Sequence, residues 1–370
     1  MEFAVSSPAR QVQGKQAAPR DSSAIPDEER AVSDTVPTST SHESTEKPRV
    51  LVTGGHGFIG SFVVRRLRER GYPVRCLVRR SSRTHRIDDL DVDKVIGDIL
   101  DPASLAAAME GCELCIHLAG ISSYADMDKD FARPTIVDGT RNVFEAALAA
   151  GLRRVVYIGS GIVYASHDPN RICDEESSFE LEGSGLIYAE AKHENERQVD
   201  EFVARGLDIV VAIPMETYGP HDDEFLTTGY LKEAINGWPA MATRGGTMYG
   251  HVADVAEGIV LALEKGRTGH RYILGSENGT IEEIIKLALE VAGKKKKVLV
   301  MPTGLTRFVV RTLYNLGLPS PEHPNAIEYG TLYAFARNDK ARQELGWNPR
   351  SGREVLEDTV RWLREAGHIR

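Results

Sequence analysis

From residue 50 onward, short apolar runs alternate with longer amphipathic stretches. The apolar runs stand at 50–53, 74–78, 94–97, 114–118, 154–158 and 209–213, each four or five residues long and rich in Val, Ile and Leu. Runs of that length and composition predict buried strands. Between them, 62–69, 102–109, 139–150 and 189–204 carry the spacing of helices with one apolar face. Strands alternating with helices imply βαβ units, right-handed crossovers and a parallel sheet covered on both faces. The expected class is therefore α/β, a doubly wound parallel sheet. After Pro214 the alternation loosens, and a second helical region is expected over roughly 279–320. Its basic run, 294–297, suits a solvated helix end or turn.

Composition then sets limits. The 370 residues suffice for two modest domains or one large one. A formal charge of −9 argues against a nucleic-acid partner. No apolar run of about 18 residues is present, so no membrane span is expected. Residues 1–48 are rich in Ser, Thr, Pro and charge, too polar to offset their ordering entropy, and are expected to be a disordered extension. Their acidic Asp27, Glu28 and Glu29 argue against a transit peptide, and residues 1–25 lack the apolar core of a signal peptide. Four cysteines make no disulfide framework in a chain this long, so a reducing, cytoplasmic setting is expected. Cys112 and Cys115 form a C-x-x-C without a second ligand pair, and lie where a buried strand is expected, so no metal site is assigned.

The stretch TGGHGFIG at 53–60 changes the picture from fold to ligand. Gly54, Gly57 and Gly60 let the chain leave the first strand, turn with its backbone outward and enter a helix packed close to the sheet. Exposed amides and a helix N-terminus suit a pyrophosphate, and the strand before the loop makes a Rossmann-type dinucleotide site the expected context. Binders of NAD place a carboxylate at the end of the second strand, where it accepts from the ribose 2′-hydroxyl. Here Val78 holds that position and Arg79 and Arg80 follow, which matches a 2′-phosphate and favours NADP(H) over NAD(H).

Chemistry is suggested by YAEAK, which sets Tyr188 and Lys192 four residues apart on one helical face. An ammonium near a phenol favours tyrosinate, so Tyr188 is the expected acid/base. Ser160, at the C-terminal edge of the fifth strand, is expected to hydrogen-bond the reacting oxygen.

Together TGGHGFIG, GDI with Asp98, HLAG at 117–120, Ser160, Tyr188 with Lys192, and PMETYGP at 214–220 resemble the extended short-chain dehydrogenase/reductase family over roughly residues 49–365. The resemblance implies a catalytic set of Ser160, Tyr188 and Lys192. It also implies that Phe58 and Ile59 lie in the phosphate turn, that Asp98 and Ile99 contact adenine, that Leu118 and Ala119 line the cofactor cleft, and that Pro214 and Thr217 border the nicotinamide. Residues 49–214, with return segments about 249–275, would bind the nucleotide. A smaller, mostly helical C-terminal region, 215–248 and 276–370, would bind substrate, with contacts from Ser122, Ser123, Tyr124, Met215 and Glu216. Stretches such as HVADVAEGIVLALEKGRTGHRYILG look like the branch holding dihydroflavonol reductases, 3β-hydroxysteroid dehydrogenases and hopanoid-associated epimerase-like proteins.

Departures from the nucleotide-sugar members narrow the substrate. Those enzymes usually carry an Asn before YGP and an Arg four residues before HV; here the segment is IPMETYGP and the second position is Thr247. A diphosphate would lose charge-assisted contacts. The implied function is an NADP(H)-dependent interconversion of a ketone or aldehyde and a secondary alcohol on a small, apolar or polycyclic molecule. The alternatives are a nucleotide-sugar epimerase or dehydratase that retains its cofactor, and a non-catalytic NADP-binding regulator. Gly159 replaces a second Ser, and Ile136 an Asn, that relatives often carry. Relatives often pair through helices, so a homodimer is also an expectation.

Overall fold

The computed structural model describes residues 47–121, 123–127, 129–318 and 323–370. The expected disordered extension, apart from Lys47 and Pro48, lies outside the described residues, as does Ser122. The chain runs β1 (Val50–Thr53), α1 (Phe58–Glu69), β2 (Val74–Val78), β3 (Asp93–Ile96), α2 (Pro102–Met109), β4 (Leu114–His117), α3 (Ala132–Ala149), β5 (Arg154–Ile158), β6 (Ile172–Cys173), α4 (Ile187–Ala204) and β7 (Ile209–Pro214). Then follow β8 (Glu216–Tyr218), α5 (Gly229–Asn236), β9 (Ala240–Ala242), β10 (Gly246–His251), α6 (Val252–Lys265), β11 (Arg271–Leu274) and β12 (Glu277–Thr280). The last elements are α7 (Ile281–Val291), β13 (Val298–Val300), α8 (Thr303–Asn315), α9 (Pro324–Tyr329), β14 (Tyr333–Ala336) and α10 (Gly352–Glu365).

Seven strands form one parallel sheet in the order β11-β7-β5-β4-β1-β2-β3. Successive strand residues face opposite layers, and β1 shows it: Val50 and Val52 join the core with Val63, Leu67 and Ile259 of α1 and α6, whereas Leu51 joins Leu105, Phe144 and Phe202 of α2, α3 and α4. Two layers of helix on one sheet are the doubly wound arrangement expected. The six expected strands are present with ends shifted by no more than one residue. The seventh, β11, was not expected as a strand; it extends the sheet by pairing with β7.

Two helices begin earlier than expected. α1 starts at Phe58 rather than 62, because Gly57 takes the N-cap position without a side-chain cap. α3 starts at Ala132 rather than 139, since Pro134 sits in its first turn, where a missing N–H breaks no helical bond. The expected helical region over 279–320 divides into α7, the strand β13 and α8. The basic run falls between α7 and β13, where the Lys296 ammonium donates to the carbonyls of Ile235 and Gly237. Besides the helices, the C-terminal part holds a five-stranded sheet, β12-β10-β14-β6 with β8 beside β10, and the parallel pair β9–β13. Cys76, Cys112, Cys115 and Cys173 are free and buried.

Candidate active site

Parallel strands all point their C-terminal ends at one edge, and the candidate site opens there. A cavity of about 950 Å³ begins at the glycine turn, passes the ends of β1, β4, β5 and β7, and continues between α5, β9, β10, α8 and α9.

The glycine turn is shaped by close approach. Gly54 has φ +72°, and a Cβ there would lie 2.7 Å from the Ala119 amide nitrogen. A Cβ on Gly60 would lie 2.1 Å from the Gly54 carbonyl oxygen, so only glycine lets α1 start this close to the loop. The Gly57 amide donates to Gly54 O at 3.1 Å and tightens the turn. No acidic residue occupies the first turn of α1, and Gly57 offers no side chain to satisfy its amides. A helix end with free amides and no carboxylate attracts an anion. Gly54, Gly57, Phe58, Ile59 and Gly60 all line the cavity.

Beside the turn, Arg79 lines the cavity and Arg80 does not; Arg80 is exposed outside it. The expected pair of arginines is thus one arginine at the cavity, since the chain turns after Arg79, where the Ser82 amide donates to Arg79 O at 3.0 Å. His56 also lines this end, and burial together with Arg79 and Arg86 holds its imidazole below the usual range, hence neutral. Arg86 donates to Asp223 Oδ2 at 3.2 Å and Arg83 to Glu224 Oε1 at 3.2 Å, tying this region to the segment after β8. Asp98, Ile99, Leu118 and Ala119 line the cavity as well. Asp98 Oδ1 accepts from the Leu100 amide at 3.0 Å, and Ile99 packs where a side chain on Gly139 would collide.

Beneath the cavity floor runs a chain of buried polar groups. Thr140 donates its hydroxyl to Ile136 O at 2.6 Å, so its oxygen accepts from His117 Nε2 at 3.2 Å and Asn195 Nδ2 at 3.0 Å. That leaves His117 Nδ1 as acceptor for the Thr53 hydroxyl at 2.7 Å, and Thr53 Oγ1 accepts from the Ala119 amide at 3.2 Å. Burial drives the His117 imidazole down to about 3, so it is neutral. Asn195 Nδ2 also reaches Ile136 O at 2.9 Å and the Tyr157 hydroxyl at 3.0 Å.

This chain ends at Lys192, whose ammonium donates to Ile158 O at 3.0 Å and to Tyr157 OH at 3.5 Å. Burial pulls Lys192 down to about 8, opposed by the Glu196 carboxylate. Ser160 caps the turn after β5, accepting from the Ile162 amide at 3.4 Å. Ser160, Tyr188 and Lys192 all line the cavity. Tyr188 departs from expectation in one respect: its pKa is raised, not lowered. Burial is the main cause and the Glu216 carboxyl adds to it, with only the Ser160 hydroxyl acting the other way. Lys192 Nζ lies 6.0 Å from the Tyr188 ring centre, too far to outweigh burial. A neutral phenol held beside a hydroxyl is arranged to donate a proton.

Farther in, Tyr124, Met215, Glu216, Pro214 and Thr217 line the wall; Ser123 does not. Glu216 is pushed up to about 7, by burial first and then by Asp222. Thr247 is on the wall and turns its hydroxyl to Met248 O at 2.9 Å. Tyr329 packs edge-on against Tyr188, ring centres 6.3 Å apart, and Tyr230 stands opposite Glu216. Spacing along the chain carried no signal for Tyr329 or Tyr230, which approach from α9 and α5. His56 and His117 lie inside TGGHGFIG and HLAG, and a lone imidazole in an apolar strand is the signal in the sequence that points to His117. Beyond Lys192, no Lys or Arg lines the inner cavity among the described residues.

Comparison with known proteins places this geometry. A protein of Synechocystis sp., named provisionally as a dihydroflavonol 4-reductase, is 32% identical over 86% of this chain and 96% of its own. Sterol demethylase protein B of Methylococcus capsulatus is 31% identical over 86% of this chain and 99% of its own. Among solved structures, that of gox2253 superposes with a TM-score of 0.74 at 29% identity, covering 88% of this chain and all of the other. Residues 50–275 match the profile of the NAD dependent epimerase/dehydratase family. The chain therefore belongs to that family, the extended short-chain dehydrogenases/reductases, and is an NAD(P)-dependent oxidoreductase.

Proposed function

We propose that this chain is an NADPH-dependent reductase of a ketone or aldehyde group on an apolar, ring-bearing molecule. The observation that carries this is the lining of the cavity. Ser160, Tyr188 and Lys192 meet at its middle, and among the described residues the inner half holds aromatic, aliphatic, hydroxyl and carboxyl groups without a cation. A sugar diphosphate needs cations or amides for its charge; Glu216 at the wall would repel it, and Thr247 offers only a hydroxyl. An apolar substrate needs neither. The names of the dihydroflavonol and sterol relatives agree with a polycyclic substrate.

The groups present fit the dinucleotide. The glycine turn and the N-terminus of α1 would hold the pyrophosphate, Asp98 and Ile99 the adenine, Arg79 the 2′-phosphate, and Lys192, Pro214 and Thr217 the nicotinamide end. The bound cofactor supplies hydride. Ser160 positions the substrate oxygen, and Tyr188, neutral through burial, gives its proton to that oxygen. Lys192, fixed by Ile158 O and Tyr157 with its ammonium 6.0 Å from the Tyr188 ring centre, adds positive charge on the side where the tyrosinate forms. Tyr329 limits access of water to Tyr188. Residues 49–214 with 249–275 serve the cofactor in this scheme, and 215–248 with 276–370 serve the substrate.

Cofactor titration tests the first half. NADPH is expected to bind tighter than NADH, and Arg79→Ser to reduce that preference roughly tenfold to a hundredfold, the worth of a charged hydrogen bond. Equal affinities in the wild type would refute the assignment. Retention of cofactor through purification, without net consumption, would favour an epimerase.

A further inference from the structure

Thirteen large apolar side chains are exposed among the described residues, and nine of them fall between 238 and 318. The densest group is on α8. Leu305, Phe308, Val309 and Leu316 recur at helical spacing on one stripe, and all are exposed, Phe308 by 69% and Leu316 by 66%. The opposite side of the helix, at Val310, is the buried one. An amphipathic helix usually turns its apolar stripe inward; α8 turns it out. At the same cavity, Gly237 and Pro239 line the wall with Trp238 between them 76% exposed, and Leu299 and Met241 are register partners on β13 and β9, both exposed.

Two further observations say what covers this surface. First, it is continuous with the cavity: Met241, Leu305 and Val309 are exposed and also line it. Second, a basic run borders it in a protein of net charge −9: residues 291–318 contain Lys294, Lys295, Lys296, Lys297 and Arg311 and no Asp or Glu, and Arg307, the other cation there, is paired with Glu328 of α9 at 2.7 Å. Lys296 is fastened to the carbonyls of Ile235 and Gly237, which sets the basic run beside Trp238. Contiguous apolar surface rimmed by cations fits an anionic bilayer surface, with aromatic and aliphatic groups entering the headgroup boundary. A second copy of the chain fits worse. It would close the cavity mouth and set like charges against each other.

We propose that α8, together with Trp238 and the basic run, is a docking surface for anionic phospholipid membranes, and that the cavity opens onto the lipid. The protein lies on the bilayer rather than through it; no described helix is long and apolar enough to cross. This docking goes beyond the carbonyl chemistry and does not depend on it.

Flotation of the full chain with vesicles tests the proposal without any turnover. Vesicles of phosphatidylcholine mixed with phosphatidylglycerol are expected to carry the protein up at low salt, phosphatidylcholine alone much less, and added salt to weaken the effect. Trp238→Ser with Phe308→Ser, two exposed positions outside the cavity lining, is expected to lower the bound fraction about tenfold or more while the melting temperature holds. Lys295→Glu with Lys297→Glu should remove the preference for anionic lipid. Absence of flotation on anionic vesicles at low salt, or flotation unchanged in the double serine variant, would overturn the proposal. So would a concentration-dependent dimer abolished by the same substitutions in a protein that does not float, since a second copy would then cover the stripe.

Discussion

Glu216 shows how burial gives one side chain of the cavity wall a pH signature. It stands on the wall of the cavity near Tyr188, and burial pushes its carboxyl up to about 7. In the unfolded chain a glutamate titrates near 4.3. Between those values the folded protein holds a proton that the unfolded chain lacks, so stability falls as pH rises through this window. The loss is complete above about pH 7 and amounts to at most about 4 kcal/mol. Glu216→Gln has no such proton to lose. Its stability, measured by denaturant melts from pH 5 to 8, is expected to decline less than that of the wild type; parallel curves would show that Glu216 titrates normally. At this scale much of the site was legible in the sequence. Tyr188 and Lys192 by type and spacing, and Ser160 by its place at the end of a strand, pointed to the cavity that all three line. The direction of the Tyr188 shift was not legible, because it depends on burial by residues such as Tyr329, remote in sequence and invisible to spacing.

At the scale of elements, the glycine turn and the polar chain below it hold the candidate site in place. Gly60→Ala would drive a methyl into the Gly54 carbonyl. It is expected to cost ~2 kcal/mol or more of stability and to weaken NADPH binding strongly, both readable from melts and titration. His117 links β1, β4 and α3 through Thr53 and Thr140. Because burial drops its imidazole to about 3 while an unfolded histidine titrates near 6.5, the unfolded chain binds the extra proton between those values. Stability therefore falls as pH drops below about 6.5. His117→Gln should flatten that acid limb and lower stability at pH 7 by about 1–3 kcal/mol, the usual loss when buried partners are left short. An unchanged acid limb would mean that another group titrates. Five of the six expected strands, β1, β2, β4, β5 and β7, could be read from apolar runs because both their faces are buried, whereas β3 lies at the sheet edge and is mostly exposed. β11 escaped since its four residues, one of them Arg271, follow the loosened stretch. The small strands β8, β9, β12 and β13 are too short to show a period of two.

In the whole molecule the nucleotide-binding edge of a parallel sheet meets an inner cavity that holds, beyond Lys192, no cation among the described residues, and the cavity opens at an exposed apolar mouth. The activity proposed for this arrangement is carbonyl reduction with Tyr188 as proton donor. The most direct measurement follows the nicotinamide absorbance of NADPH when a polycyclic ketone is added to the wild-type protein and to Tyr188→Phe. The account predicts NADPH oxidation by the wild type, and a rate lower by about 10²–10⁴ in Tyr188→Phe with NADPH affinity retained. Equal rates in the two proteins, or turnover of nucleotide sugars with no net change in NADPH, would contradict it.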